Sequence, residues 1–154
     1  MVVRNHEGKY LAINETRDRG WWLVGGHLDY GELYEDCVKR ECVEEAEIEI
    51  EIKGFLRVEV SPFLKDSFSH TTLIYYAEPV EATCHEKTVP DEHSLGSRWM
   101  SVEEMRKETK WRANDLIHWA EYIEAGGYIM PKNFAALCFE HLQDPVKDIP
   151  FRIK

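Results

Sequence analysis

Short apolar runs alternate with polar turns in the first part of the chain, and a helical spacing of apolar positions follows them. Val2–Val3, the polar stretch His6-Glu7-Gly8-Lys9 and the run Tyr10–Ile13 predict a strand, a turn and a second strand. The first strand is short because the chain begins inside it, as expected of a trimmed N-terminus. Trp21–Val24 is a third apolar run, ended by Gly25-Gly26. From Leu33 to Ala46 there is no Gly or Pro, and Leu33, Tyr34, Cys37 and Val38 recur at helical spacing. Glu47-Ile48-Glu49-Ile50-Glu51-Ile52 then alternates with a period of two, a strand with isoleucines facing in and glutamates facing out. Phe55–Val60 and Thr71–Ala77 continue as strands, separated by a loop around Ser61-Pro62 and Lys65-Asp66.

Glu78 to Ser94 reads as an irregular polar connection, with Pro79 and Pro90 opposing regular structure. Ser97–Met100 is a short strand. Ser101 caps a helix, and Glu104 three residues later completes a capping box. Asn114 to Ala125 forms an amphipathic helix closed by Gly126-Gly127, and Phe134 to Leu142 a last helix after Pro131. Strands interleaved with helices define an α/β fold, a mixed sheet flanked by helices. One domain spans residues 1–143, and 144–154 form an extended C-terminal tail.

Composition narrows the function classes. The 154 residues suit one domain, and 44% hydrophobic with 31% charged residues is a globular balance. A net charge of −10 disfavours duplex nucleic acid and anionic membranes, which need clustered positive charge. A small anion held through a divalent cation is still allowed, because the metal reverses the local sign. No apolar run approaches the ~18 residues of a transmembrane helix, and no signal-peptide core is present at the start. Cys37 and Cys42 sit five apart on one predicted helix, where they cannot bridge; with Cys84 and Cys138 they read as reduced thiols in the cytoplasm.

The chemistry is concentrated between Gly26 and Ile48. Glu41, Glu44 and Glu45 stand at i, i+3 and i+4 and share one helical face, where they extend the apolar stripe of Tyr34, Cys37 and Val38. Three carboxylates crowded at the inner edge of a helix repel one another and call for cations. Hard oxygen ligands at this density suit Mg²⁺ or Mn²⁺. Taken alone, E-x-x-E-E reads more readily as an ordinary solvated acidic helix, since short motifs match freely.

The flanking residues change that balance. Gly26 is followed by Glu32, then Arg40-Glu41, then Cys42-Val43-Glu44-Glu45-Ala46-Glu47-Ile48. This segment resembles the Nudix box, G-x5-E-x7-R-E-U-x-E-E-x-G-U with U aliphatic, of the Nudix hydrolase (MutT-like) superfamily. It matches at Gly26, Glu32, Arg40, Glu41, Glu44, Glu45 and Ile48. It departs at Cys42, which stands at a U position, and at Glu47, which replaces the last glycine. A glutamate in the left-handed region costs about 1 kcal/mol or more, so a different helix exit is expected here. Trp22-Leu23-Val24-Gly25-Gly26 resembles the family's W-x-L-P-G-G approach to the box, and Asp91-Glu92-His93-Ser94 with Arg98-Trp99-Met100 its late loop and strand.

The resemblance implies an α/β/α sandwich that hydrolyses a nucleoside diphosphate linked to another moiety, with Mg²⁺ or Mn²⁺ as cofactor. It assigns Glu44 and Glu45 as metal ligands, Glu41 as ligand or general base, and the Gly26 carbonyl as a further ligand. Arg40 orients a helix glutamate, with Glu32 as its ion-pair partner. Glu92 matches the place where some members supply another ligand or base; His27 and His93 are alternative bases. Gly25, Gly26 and Trp22 line the substrate. Trp21, Trp22, Phe63, Phe68, Tyr75 and Tyr76 could stack a base, although core packing is the more general role of such residues.

The best substrate expectation is an oxidised purine nucleoside di- or triphosphate, from the faint likeness of Arg112-Ala113-Asn114-Asp115-Leu116-Ile117-His118 to enzymes of that group. An ADP-ribose-type substrate is the alternative, to which Pro62 points. A catalytically inactive nucleotide-binding module and an acidic scaffold are the competing classes. Self-association as a homodimer would have to be driven by apolar surface.

Overall fold

The computed structural model describes residues 1–63 and 68–132. Among the described residues, seven strands and three α-helices run in the order β1 (Val2–Val3), β2 (Tyr10–Glu15), β3 (Gly20–Trp22), α1 (Tyr34–Ala46), β4 (Ile50–Phe63), β5 (Phe68–Pro79), β6 (Ser94–Met100), α2 (Val102–Lys107), α3 (Asp115–Glu124) and β7 (Met130–Pro131), with a 3-10 turn at Glu81–Thr83 between β5 and β6. One sheet has the order β1-β5-β4-β7 and is mixed, because β1 lies parallel to β5; the other, β3-β2-β6, is antiparallel. The expected turn after β1 forms at Asn5–Lys9, but the long partner of β1 is β5, whose Tyr76 and Ala77 pair with Val2 and Val3.

The period-two pattern explains the layers. Along β2, Leu11 and Ile13 enter one core while Tyr10 and Ala12 enter another. The same division separates Val3 from Val2, Phe55 from Leu56, and Tyr75 from Ile74 and Tyr76. Strands that are apolar on both faces need cover on both. α1 provides it through Cys42 and Ala46, and α2 and α3 through Met105, Leu116 and Ala120. The result is the helix–sheet–helix sandwich that the resemblance implied, with the helix-flanked mixed sheet that the strand pattern predicted. Tyr75 and Tyr76 are core residues in it.

Several boundaries differ from the sequence reading. The strands expected at 47–52 and 55–60 are one strand, β4, which crosses register irregularities at Ile52/Gly54 and Phe55/Arg57. A side chain at Gly54 would collide with Ile129 and the Met130 carbonyl, so glycine there admits β7. Ser61-Pro62 belongs to β4, paired with His70 and Ser69, and not to a loop. Among the described residues β7 reaches only Gly54 and Phe55, so Pro62 lies where a missing N–H removes least from the sheet. β6 begins at Ser94 instead of Ser97, and β3 is confined to Gly20–Trp22. The capping box at Ser101 and Glu104 is present, with both hydrogen bonds made. The helix expected at 134–142, the tail at 144–154, Lys65-Asp66 and Cys138 lie outside the described residues.

The helix exit corrects the expectation for Glu47. Instead of a different geometry, Glu47 takes the left-handed conformation itself, with φ 59° and ψ 29°, and donates its N–H to the Val43 carbonyl at 2.9 Å. Buried Ala46 on one side and buried Ile48 on the other demand a reversal of the chain within one residue, and a left-handed residue after the helix achieves that. The strain is tolerated because both neighbours are anchored in the core. Glu47→Gly therefore raises stability by about 0.5–1 kcal/mol, the relief of left-handed strain less the extra entropy of unfolded glycine. Urea unfolding measures it, and turnover stays within about 2-fold. An unchanged midpoint would show that the side chain, partnered at 3.8 Å by exposed His85, offsets its own strain.

Candidate active site on the first helix

α1 starts after an extended Leu33, with Glu35 and Asp36 in its first turn complementing the helix dipole. Its inward face carries Cys37, Cys42 and Ala46 into the core, and Glu41, Glu44 and Glu45 line the margin of that face. Arg40 organises this margin. Its Nε donates to Glu32 Oε1 at 2.8 Å and its second amino nitrogen to Glu32 Oε2 at 3.0 Å, a two-point grip. The other amino nitrogen bridges Glu41 Oε1 at 2.9 Å and Glu44 Oε2 at 3.0 Å. Hydrogen bonds from Arg40, and then from the Asp29 N–H, hold the Glu32 carboxyl at about 2; Glu32 in turn raises the affinity of Arg40 for its proton.

The two glycines before the box differ. At Gly25 a side chain would meet only ordinary contact with Leu23, whereas at Gly26 it would occupy the Glu41 carboxylate. Gly26 thus lets the main chain lie directly against Glu41. Gly25 donates its N–H to Glu45 Oε2 at 3.1 Å. Burial pushes the Glu45 carboxyl up to about 8, against the lowering effect of that N–H, and the Glu41 charge adds to the rise. Burial likewise pushes the Cys37 and Cys42 thiols up, to about 11 and 12, and Cys37, Cys42 and Cys84 are all free thiols.

The loop before β6 closes the end of the helix. Lys87 donates to the Glu44 carbonyl at 2.9 Å and pairs with Asp91 at 2.6 Å, and Ser94 Oγ donates to the Glu45 carbonyl at 2.6 Å. His93 Nδ1 lies 3.8 Å from Glu44 and its Nε2 3.8 Å from Glu92. Glu92 itself is 89% exposed, and His93 stands between it and Glu44 on the helix. His27 contributes its carbonyl, which accepts from Arg40 at 3.1 Å, while its ring stacks on His70.

Of the aromatic candidates, Trp22 is fixed on two sides. Its Nε1 donates to Asp115 at 2.9 Å, and Arg112, itself paired with buried Glu15, lies 3.9 Å over its ring. Trp21 is half-buried beneath Arg98. Lys87, Ser94, Glu15 and Arg112 were not singled out from the sequence. Each acts through a contact across many residues; Ser94 and Arg112 stand in segments that the sequence reading quotes residue by residue, and Lys87 and Glu15 do not.

The donor set fits a hard divalent cation: carboxylate oxygens with a main-chain cradle at Gly26, and a half-buried carboxyl, Glu45, that has no cationic side chain as a partner among the described residues. Among the described residues no three acidic, His or Cys side chains converge as a ready cluster, because Arg40 stands between Glu41 and Glu44. Loading therefore has to draw those carboxylates away from the guanidinium.

Residues 1–120 match the family model of the NUDIX domain, and the chain belongs to that family. Its fold is similar to that of a NUDIX hydrolase from Nitrosomonas europaea, with a TM-score of 0.63 and 18% identity over 86% of this chain and 93% of that one. It is also similar to a MutT protein from Methanosarcina mazei Go1, with a TM-score of 0.58 and 16% identity over 81% and 89% of the two chains. A UDP-X diphosphatase matches with a TM-score of 0.59 and 15% identity over 82% and 63%. At these identities the likeness is one of fold. Family membership makes the chain a hydrolase of the class that acts on phosphoric anhydride bonds of small nucleotide substrates, generally with divalent metal ions. No helix among the described residues is long and apolar enough to cross a membrane.

Proposed function

We propose that the protein is a Mg²⁺- or Mn²⁺-dependent pyrophosphohydrolase of the cytoplasm, acting on a purine nucleoside di- or triphosphate and best on an oxidised one. The observation that carries the catalytic part is the Gly26 main chain set against Glu41 on the helix face that also bears Glu44 and Glu45. Glu44, Glu45 and the Gly26 carbonyl would hold the cation, with Glu41 as ligand or general base. When bound, the cation supplies the positive charge that a pyrophosphate needs and lowers the pKa of an attacking water. Arg40 keeps Glu41 and Glu44 apart and oriented, and Glu32 keeps Arg40 in place. Glu92 is the further acid–base candidate, and His93 links it to Glu44.

The purine reading rests on Trp22. A flat indole held by Asp115 and Arg112 a few residues before Gly25-Gly26 offers a stacking surface near the phosphate site. Asp115 also lines a groove of about 450 Å³ between β4 and α3, with Leu56, His118 and Trp119 on its walls. Its wall is as polar as it is apolar, with Arg57 and Glu59 beside Asp115 and His118, and an aromatic ring with hydrogen-bonding edges matches that mixture.

Phosphate and nucleotide release at alkaline pH from a substrate panel, with Mg²⁺, Mn²⁺ or chelator, tests the proposal. The panel holds normal and 8-oxo-guanine nucleoside di- and triphosphates, ADP-ribose, UDP-linked sugars, dinucleoside polyphosphates and NADH. Metal-dependent cleavage of the oxidised purine nucleotides, faster than of any other member, is expected. Preference for ADP-ribose would replace the purine phosphate reading, and silence with metal still bound would make the protein a nucleotide-binding module.

A further inference from the structure

α1 ends without a basic residue in its last turn, although its final carbonyls lack partners within the helix and its C-terminus carries partial negative charge. Two of those carbonyls, of Glu44 and Glu45, are gripped from one distant segment, the loop that leads into β6 and the first residue of that strand. The Lys87 side chain is 1% exposed, and its ammonium has two acceptors, the Glu44 carbonyl at 2.9 Å and the Asp91 carboxylate at 2.6 Å. A lysine is seldom buried so fully, because removing an ammonium from water is costly unless it is paired and hydrogen-bonded.

The loop is built to hold that lysine still. Lys87 donates its N–H to Ser97 Oγ and accepts the Ser97 N–H, both at 2.9 Å. Gly96 has no room for a side chain against the Lys87 carbonyl. Asp91 accepts from the N–H groups of His93 at 2.8 Å and Ser94 at 3.0 Å besides holding Lys87, and these bonds keep its carboxyl well below the usual range. Ser94 then reaches the Glu45 carbonyl. The Lys87 ammonium thereby joins the Glu44 carbonyl to the turn bearing Glu92 and His93, and the Ser94 hydroxyl ties the next carbonyl, that of Glu45, to the same segment.

We infer that Lys87 is a positioning residue: it locks the last turn of α1 to the loop before β6 and so sets where the Glu44 and Glu45 carboxylates stand. The inference rests on the reading of those carboxylates as cation ligands. Its sign separates it from a simple charge effect. Deleting a cation beside an anionic site would by Coulomb attraction alone tighten the binding of a divalent ion, whereas releasing the helix end loosens it.

The test measures Mn²⁺ affinity of the full chain by electron paramagnetic resonance of the free ion, together with kcat and KM on the substrate cleaved in the panel. Lys87→Met is expected to weaken Mn²⁺ binding about 10-fold or more and to lower kcat about 10- to 100-fold, with KM within about 3-fold. Lys87→Arg, which keeps donors and charge, is expected to recover part of both. Unchanged or tighter Mn²⁺ binding in folded Lys87→Met overturns the inference. Should Lys87→Met not fold, Lys87→Gln decides: it removes the same charge, keeps a polar end in a buried polar setting, and is too short to hold the Glu44 carbonyl and Asp91 together. Weaker Mn²⁺ binding there supports the role, and unchanged binding overturns it. Glu44→Gln in parallel tests the underlying assignment, since Mn²⁺ binding as tight as in the wild type would refute the carboxylate reading and this inference with it.

Discussion

Glu44→Gln and Glu45→Gln each lower kcat by about 100- to 10,000-fold without unfolding the protein, the scale on which removal of a charged group at the reacting centre acts. Steady-state kinetics with circular dichroism as a folding control measures this, and near-wild-type turnover in both variants would sink the metal assignment. Glu45 adds a signature in the metal-free protein. Its carboxyl is raised from 4.5 to about 8 by burial first, with the Glu41 charge adding to the rise. A raised pKa means the folded state binds the proton more tightly than the unfolded chain. Stability attached to this group is thus complete below about pH 4.5 and declines as pH rises through about 8. Thermal unfolding in chelator should show that decline in the wild type and its loss in Glu45→Gln. Saturating Mn²⁺ should restore the wild type at pH 8 by mass action and leave Glu45→Gln unimproved.

Gly26→Ala produces the second large effect. The added methyl lands on the Glu41 carboxylate, so either that side chain or the loop has to move. Displacing a reacting group by about 1 Å costs on the order of 100-fold in rate, and forcing a methyl into a filled space costs about 1–3 kcal/mol. The expected result is a fall in kcat/KM of about 100-fold with a modest drop in Tm. Gly31→Ala is the contrast: its φ of +83° strains any side chain, but nothing lies within 4 Å of the new atom. It should lower stability by about 1 kcal/mol while leaving the rate alone. Equal kinetic damage in both variants would mean that loop flexibility, and not the contact with Glu41, sets the activity.

These two effects differ in how they could be found. Glu44 and Glu45 were visible in the linear sequence because helical spacing brings residues three and four apart onto one face whatever the helix packs against. Arg40 and Glu32 were visible only as members of a spaced pattern, and the fold turned that pattern into a two-point ion pair. Glu47 shows the limit in the other direction. Propensity argued against a left-handed glutamate by about 1 kcal/mol, and two buried neighbours, Ala46 and Ile48, outweighed it. Local preference is a small energy, and anchoring on both sides exceeds it.

What the sequence determined by itself is therefore what short-range periodicity controls: the strands that are apolar on both faces, the helix between Leu33 and Ala46, the capping box at Ser101, and the line of carboxylates with its flanking glycine and arginine. Tertiary structure alone decided the rest. It merged the two middle strands across Gly54, where a side chain would collide with Ile129. It separated the roles of Gly25 and Gly26, which look alike in sequence. It also placed Lys87 and Ser94 on carbonyls 43 and 49 residues away along the chain. Such contacts leave no periodic trace, because a hydrogen bond to a backbone carbonyl asks nothing of the identity of the residue that accepts it.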